Sequence, residues 1–164
     1  MKILVFSDSH NHAYRIENVL GRETDVDLII HLGDCVADIQ TVQAKVPNIR
    51  FEFVSGNCDF DSLIPEEKTF EFAGKIFLIT HSSKYYTQLN LNELYRETAN
   101  SGADIVLFGH THVPFENTRN GILYLNPGCV SMPKNRGIKT YAVLEITNGN
   151  ISTQFKEILN SRRQ

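Results

Sequence analysis

Two histidines stand one residue apart in the stretch Gly109-His110-Thr111-His112, directly after the apolar run Ile105-Val106-Leu107-Phe108. In an extended backbone, residues i and i+2 project to the same side, so both imidazoles can face one cavity. Gly109 has no side chain, which lets the backbone pass close to whatever fills that cavity. The stretch alone leaves two interpretations open: a pair of metal ligands, or two polar residues of a loop.

Other apolar runs of the chain are also followed by residue types that bind metals. Each of these residues has a purely structural interpretation, such as a helix cap, a turn or a hydrogen-bonded group at a strand edge. Their shared position just past apolar strands favours one common site. Carboxylates, imidazoles and one amide oxygen suit manganese, iron or zinc rather than a thiolate zinc site. The residues are Asp8, His10, Asp34, Asn57, His81, His110 and His112.

The first sixty residues alternate between short apolar runs and segments with helical periodicity. The runs Ile3 to Phe6, Leu28 to Leu32 and Phe51 to Val54 predict strands, and Tyr14 to Arg22 and Val36 to Val46 predict the helices between them. This order predicts parallel strands joined by helical crossovers. Because ligands bind at the carboxyl ends of such strands, the polar residues that follow them are expected at one edge of the sheet.

The second half of the sequence is dominated by hairpins. Turns at Ala73-Gly74, Asn120-Gly121 and Asn148-Gly149 each separate two apolar runs, which is the pattern of antiparallel strand pairs. One further helix is predicted from Leu89 to Asn100, with an apolar stripe along one face. We therefore expect two sheets packed face to face, with helices outside them.

Composition narrows the class of protein. With 164 residues, 41% hydrophobic and 21% charged, the chain fits one domain spanning residues 1–164. The net charge of -3 and the scattered basic residues argue against long nucleic acids as partners. The first apolar run is too short for a signal peptide or a membrane span, and three well-separated cysteines fit a reducing compartment. We expect a cytoplasmic protein with no membrane partner, and homo-oligomerisation remains open.

Five short motifs recur at the ends of the predicted strands. They are Asp8-x-His10, Gly33-Asp34, Gly56-Asn57-x-Asp59, His81 after a strand, and Gly109-His110-Thr111-His112. In order and spacing, these motifs resemble the motif blocks of the calcineurin-like metallophosphoesterases, and most of all the small, single-domain YfcE-like phosphodiesterases, over essentially the whole length. The resemblance implies an α/β fold, a four-layer α/β/β/α sandwich of two mixed sheets flanked by helices.

The resemblance also implies a centre of two divalent metal ions. By matching positions, one ion would be bound by Asp8, His10 and His112. The other would be bound by Asn57, His81 and His110, and Asp34 would bridge the two ions. Mn²⁺ is the expected ion, and Fe²⁺, Zn²⁺ and Ni²⁺ suit the same ligand set.

The activity implied is hydrolysis of a small phosphodiester or phosphomonoester through a metal-bridging hydroxide. A second hypothesis comes from a different class of protein. The same fold resembles a eukaryotic retromer subunit that acts mainly as a protein-binding scaffold, so the chain could bind metals with little catalysis.

The motif around Asn57 departs from the broader family pattern. Many relatives have a histidine after the asparagine, where this chain has Cys58, which is a weaker proton donor. Asn57, Cys58 and Asp59 form the predicted catalytic group, in which Asp59 would orient Asn57 or Cys58 rather than bind metal. His81 is followed by Ser82, where many relatives have glycine.

The remaining features of the sequence carry weaker signals about the site. His31 lies in an apolar strand, where it is either a hydrogen-bonded core residue or a support for a metal ligand. Tyr85-Tyr86 predicts ordinary packing or an aromatic wall, and the segment from Asn126 to Cys129 predicts a structural turn behind the site. The loops from Asp61 to Glu67 and from Ser82 to Gln88 flank the site but carry no motif that names a substrate.

Overall fold

The computed structural model describes residues 1–60, 63–133 and 137–159, so the start of the predicted loop from Asp61 to Glu67 lies outside the described residues. The helices are α1 (Ala13–Leu20), α2 (Val36–Lys45) and α3 (Asn92–Thr98), with one 3₁₀ turn at Ser83–Tyr85. The strands are β1 (Lys2–Phe6), β2 (Leu28–His31), β3 (Arg50–Phe53), β4 (Glu67–Phe72), β5 (Lys75–Thr80), β6 (Ile105–Phe108), β7 (Pro114–Arg119), β8 (Ile122–Pro127), β9 (Thr140–Thr147) and β10 (Asn150–Glu157).

The strands form two mixed sheets. The first sheet has the order β10-β9-β1-β2-β3. In it, β1, β2 and β3 run parallel, β9 runs antiparallel to β1, and β10 runs antiparallel to β9. The second sheet has the order β4-β5-β6-β8-β7, in which β5, β6 and β8 run parallel. The antiparallel pairs β4–β5, β7–β8 and β9–β10 are the three predicted hairpins.

Successive side chains of a strand point to opposite faces of its sheet, so the buried apolar side chains form three layers. In β1, Ile3 and Val5 pack between the two sheets, whereas Leu4 and Phe6 pack against the outer helices. On the far side of the second sheet, Leu94 of α3 packs against Val106 and its neighbours. The order of layers is therefore α1 and α2, first sheet, second sheet, α3, as predicted.

The third helix is shorter than the segment from Leu89 to Asn100 that periodicity predicts. It begins at Asn92 because the side-chain oxygen of Asn90 accepts the backbone N–H of Asn92 at 2.9 Å and turns the chain. It ends at Thr98, whose carbonyl accepts the hydroxyl of Ser101 at 2.7 Å. Local hydrogen bonds thus replace helical ones at both ends.

None of the helices in the described residues is both long enough and apolar enough to cross a membrane.

Candidate metal centre

All seven predicted metal ligands follow the carboxyl end of a strand. Asp8 and His10 follow β1, and the remaining five follow β2, β3, β5 and β6. Several of these predicted ligands lie at turns of the chain, since φ is 57° at Asp8, 61° at Asp34, 67° at His110 and 60° at His112. Non-glycine residues adopt this left-handed region at a cost, and such residues cluster at functional sites.

Glycines allow the loops to approach one another. A Cβ added to Gly109 would lie 2.2 Å from the hydroxyl of Ser7 and 3.3 Å from the carboxylate of Asp8. A Cβ on Gly56 would lie 2.3 Å from the carboxylate of Asp34. The close backbone approach predicted for Gly109 is therefore present, and Gly56 provides a second one.

The first group of ligand atoms comes from both sheets. One potential ligand atom from each of Asp8, His10, Asp34 and His112 lies within 4.8 Å of the other three. Nε2 of His112 is 3.0 Å from Oδ1 of Asp8, and Nε2 of His10 is 3.6 Å from Oδ2 of Asp34. On the other side of the His112 ring, Nδ1 donates to the carbonyl of Met132 at 2.8 Å, which turns Nε2 toward the group.

The second group meets around Nε2 of His81. This atom lies 3.0 Å from Oδ1 of Asn57, 3.4 Å from Oδ1 of Asp34 and 3.2 Å from Nδ1 of His110. Nδ1 of His81 bonds to the carbonyl of Leu32 at 2.7 Å, so it carries the proton in the neutral ring. The unprotonated Nε2 of His81 therefore lies beside two oxygen atoms that are also hydrogen-bond acceptors. A cation placed among these three atoms would stabilise the arrangement.

Unsatisfied buried atoms point to the same conclusion for the first group. Among the described residues, Nε2 of His10 is a buried side-chain atom without a hydrogen-bond partner, and Oδ1 of Asp8 has no partner besides Nε2 of His112 at 3.0 Å. A buried polar group without a partner costs free energy, which a coordinating ion would recover. The donor set therefore fits divalent cations, as the sequence predicted.

Charges in the first group are strongly coupled. Burial alone would raise the pKa of Asp8, but its hydrogen bond to His112 and the positive charge of that ring lower it overall. The pKa of His112 rises to about 11, chiefly through its hydrogen bond to Asp8. In the metal-free protein His112 is thus held protonated, and a bound cation would take the place of that proton.

The predicted catalytic residues Asn57, Cys58 and Asp59 separate in the structure. Asn57 points toward His81, and Cys58 donates its backbone N–H to Asp34 at 2.9 Å. Burial raises the pKa of the Cys58 thiol to about 11, and the charge of Asp34 acts in the same direction. The thiol is therefore protonated at neutral pH and is a weak acid.

The sequence predicted that Asp59 would orient the side chain of Asn57 or Cys58, but the hydrogen bonds that its carboxylate makes are to backbone N–H groups. Its carboxylate accepts the backbone N–H groups of Asp34 at 3.0 Å, Cys35 at 3.0 Å and Val36 at 2.8 Å, and also that of Gly56 at 2.8 Å. Asp59 thereby caps the start of α2 from another segment and fixes the loop that carries Asp34. Four backbone N–H groups point at the Asp59 carboxylate. Their combined hydrogen bonds stabilise its charge more than one bond to the Asn57 amide or the Cys58 thiol would.

Sequence reasoning missed the segment that supports Asp8 and His112. The hydroxyl of Ser131 donates to the carbonyl of Asp8 at 2.8 Å, and the thiol of Cys129 donates to the same carbonyl at 3.4 Å. The carbonyl of Met132 orients His112. The acceptors in these contacts are backbone carbonyls, which every residue type has. The sequence could therefore predict the turn but not these contacts.

The structure shows the surroundings of His31, Tyr85, Tyr86 and Asn126, whose roles the sequence alone did not decide. His31 is fully buried, with Nε2 3.1 Å from the hydroxyl of Ser9, and burial lowers its pKa to about 4, so it is a neutral, hydrogen-bonded core residue. Tyr85 donates to Glu67 at 2.6 Å, whereas Tyr86 is 70% exposed. The side chain of Asn126 donates to the carbonyl of Gly109 at 2.8 Å and so holds the metal-ligand loop from behind.

The centre lies away from a groove of about 360 Å³ that is lined by Met1 and Lys2 at the opposite end of β1. Two mixed sheets between helices, with acids and imidazoles gathered at the strand ends, indicate a metal-binding protein of the α/β class. The family model of the calcineurin-like phosphoesterase superfamily domain matches residues 1–149. The chain belongs to this superfamily.

Individual relatives agree with this placement. The chain is 30% identical over 157 residues to the probable metallophosphoesterase YsnB of Bacillus subtilis, covering 94% of this chain and 90% of that protein. It is 31% identical over 174 residues to the phosphodiesterase YfcE of Escherichia coli K12, covering 88% of each chain.

Solved structures show the same fold. A predicted phosphoesterase from Streptococcus pneumoniae superposes with a TM-score of 0.79 at 29% identity, covering 95% of this chain and 88% of that one. A Vps29 from Entamoeba histolytica, complexed with Zn²⁺, superposes with a TM-score of 0.75 at 18% identity, covering 97% of this chain and all of that one. The second likeness concerns the fold alone.

Proposed function

We propose that the chain is a phosphodiesterase that hydrolyses small phosphate esters with two divalent cations, Mn²⁺ being the expected ion. The observation that carries the proposal is the position of Asp34 between the two groups of ligand atoms. Its Oδ1 faces His81 at 3.4 Å and its Oδ2 faces His10 at 3.6 Å. One carboxylate thus offers an oxygen to each group, as a bridging ligand would.

The ligand residues divide between the two proposed positions. Asp8, His10 and His112 would hold one ion, Asn57, His81 and His110 the other, and Asp34 would contact both. Such ions act as Lewis acids on phosphoryl oxygens and lower the pKa of bound water to about 7. The chain itself orients these ligands: the carbonyls of Met132 and Leu32 fix the rings of His112 and His81.

Hydrolysis by metal-loaded protein tests the proposal. Protein stripped with a chelator and reloaded with Mn²⁺ is expected to hydrolyse bis(4-nitrophenyl) phosphate, with 4-nitrophenyl phosphate as the monoester comparison. Asp34→Asn keeps the shape of the side chain but removes the shared charge, so we expect a loss of at least about 100-fold. Asp25→Asn, the same change at an exposed position, is the matched control.

Metal analysis separates a dinuclear centre from a single site. His112→Ala is expected to lower the metal-to-protein ratio by one equivalent before the second ion is lost. If Asp34→Asn and His110→Ala both keep full activity, the proposal is wrong.

An interaction scaffold is the second candidate function. Large apolar side chains are exposed just after Asn57, where Phe60 is 96% exposed and Leu63 is 89% exposed. Such side chains favour protein contacts. Protein that binds its metals yet hydrolyses neither ester, and that binds a partner chain through these residues, would support the scaffold.

A further inference from the structure

A groove on the outer side of the second sheet opens next to the metal-ligand loop after β6. Its volume is about 190 Å³. The rings of Phe108 and Phe115 lie 5.9 Å apart between their centroids, and Phe108 is almost fully buried. The groove is lined by Thr87, Leu91, Phe108, Thr111, Val113 and Phe115.

The walls of this groove are continuous with the loops of the candidate metal centre. Thr111 stands between His110 and His112, so its Cα is about 3.8 Å from that of each neighbour. On the other wall, the hydroxyl of Thr87 lies 2.9 Å from the hydroxyl of Ser82, the residue after His81. The groove and the candidate metal centre are thus formed by neighbouring residues of the same two loops.

The chemistry of the lining selects what can enter. None of the six described lining residues is charged, and four of them are apolar or aromatic. Two threonine hydroxyls supply the polar groups. An apolar cavity of about 150 Å³ accommodates benzene, so a groove of this size and lining has room for one ring.

We propose that the groove binds a neutral, ring-sized apolar substituent of a phosphodiester whose phosphate lies at the metal centre. This inference rests on the proposed function and adds the class of ester group that the site prefers. The side chains of Leu91 and Val113 would contact the ring directly. Val113 is 46% exposed, so the groove is open to a ligand arriving from solvent.

Binding of two matched diesters tests the inference without depending on turnover. Isothermal titration calorimetry on the Mn²⁺-loaded protein compares diphenyl phosphate with dimethyl phosphate, and an assay for released phenol checks that no hydrolysis occurs. Both ligands carry the same single negative charge, so their difference reports the rings. We expect diphenyl phosphate to bind at least about tenfold more tightly, since an aromatic ring removes a large apolar area from water.

Two variants assign the difference to the groove. Leu91→Gln and Val113→Asn each make one wall polar without adding charge, and each is expected to reduce the preference for diphenyl phosphate by about fivefold. Ile76→Asn, at an exposed apolar position at the start of β5, is the matched control and should leave the preference unchanged. Val113→Asn lies at a half-exposed position, so it gives the answer even if Leu91→Gln fails to fold.

The outcomes separate the inference from the proposed function. If dimethyl phosphate binds and diphenyl phosphate binds no better, the inference is overturned and the phosphodiester site stands. Equal preference in wild type, Leu91→Gln and Val113→Asn also overturns it, since the rings would then bind elsewhere. If neither ester binds the metal-loaded protein, the proposed function fails and the inference fails with it.

Discussion

Cys58 stands directly after Asn57, a proposed metal ligand. In the metal-free protein, partial desolvation and the charge of Asp34 raise the pKa of the Cys58 thiol to about 11. General acids work best when their pKa lies near the working pH, so this thiol is a poor proton donor to a departing ester oxygen. The proposed reaction then favours substrates whose leaving group needs no proton.

Replacing this thiol tests its role. Cys58→His introduces an imidazole whose ordinary pKa is about 6.5, so we expect faster hydrolysis of diesters with poor alkyl leaving groups, by about tenfold or more. Hydrolysis of 4-nitrophenyl esters should change little. The measurement is kcat for a series of leaving groups. Cys58→Ala is the control, and an equal gain in that variant would show that proton donation is not the cause.

At the scale of the element, the start of α2 depends on a residue outside the helix. The N-cap residue Cys35 makes no side-chain cap, and Asp59 supplies the acceptors instead. Because Asp59 also binds the N–H of Asp34, the helix start and the proposed bridging ligand share one anchor. Loss of this anchor should affect stability and metal binding together.

Asp59→Asn tests the shared anchor. The amide has only one oxygen, and its NH₂ group would face backbone N–H groups, so we expect a loss of about 1 to 2 kcal/mol in the free energy of unfolding. Mn²⁺ affinity should fall as well, because Asp34 is no longer fixed. Chemical denaturation and metal titration measure the two effects. Asp25→Asn is the control, and unchanged metal affinity in Asp59→Asn would contradict a shared anchor.

The helices and strands of this chain could be predicted where the order of apolar and turn-forming residues determines them. The strands, the hairpin turns at Asn120 and Asn148 and the positions of the ligands follow from apolar runs and turn residues. The bounds of α3 and the contacts of Asp59 could not be predicted, because they depend on backbone groups brought together by other segments. The roles of the ligand residues, the single domain and the cytoplasmic location stay predictions.

At the scale of the whole molecule, Glu23 connects the edge of the first sheet to the loop after α1. It accepts the hydroxyl of Tyr141 at 2.6 Å and the ammonium of Lys156 at 2.7 Å, and pairs with Lys2 at 2.6 Å. Burial alone would raise its pKa, but these three partners lower it from 4.5 to about 2. The carboxylate is therefore stabilised more in the folded chain than in the unfolded chain.

The pKa shift of Glu23 predicts a pH dependence of stability. A lowered pKa contributes stability above the unfolded value, and this contribution is lost as pH falls from 4.5 toward about 2. Glu23→Gln is expected to lower the Tm of the metal-free protein by about 2 to 4 °C at pH 7, and the difference should shrink toward pH 3. Thermal unfolding at several pH values measures it. A difference that stays constant with pH would exclude the charge of Glu23 as its cause.

The ligand residues extend along the chain from Asp8 to His112 and come from the ends of strands in both sheets. Neither proposed position can form until the two sheets have assembled and met, so a cation cannot guide the first steps of folding. A cation that binds the native chain in preference to the unfolded one would make stability rise with the logarithm of free cation concentration. Metal supply would then govern how long the native chain lasts, while folding begins at the same rate without it.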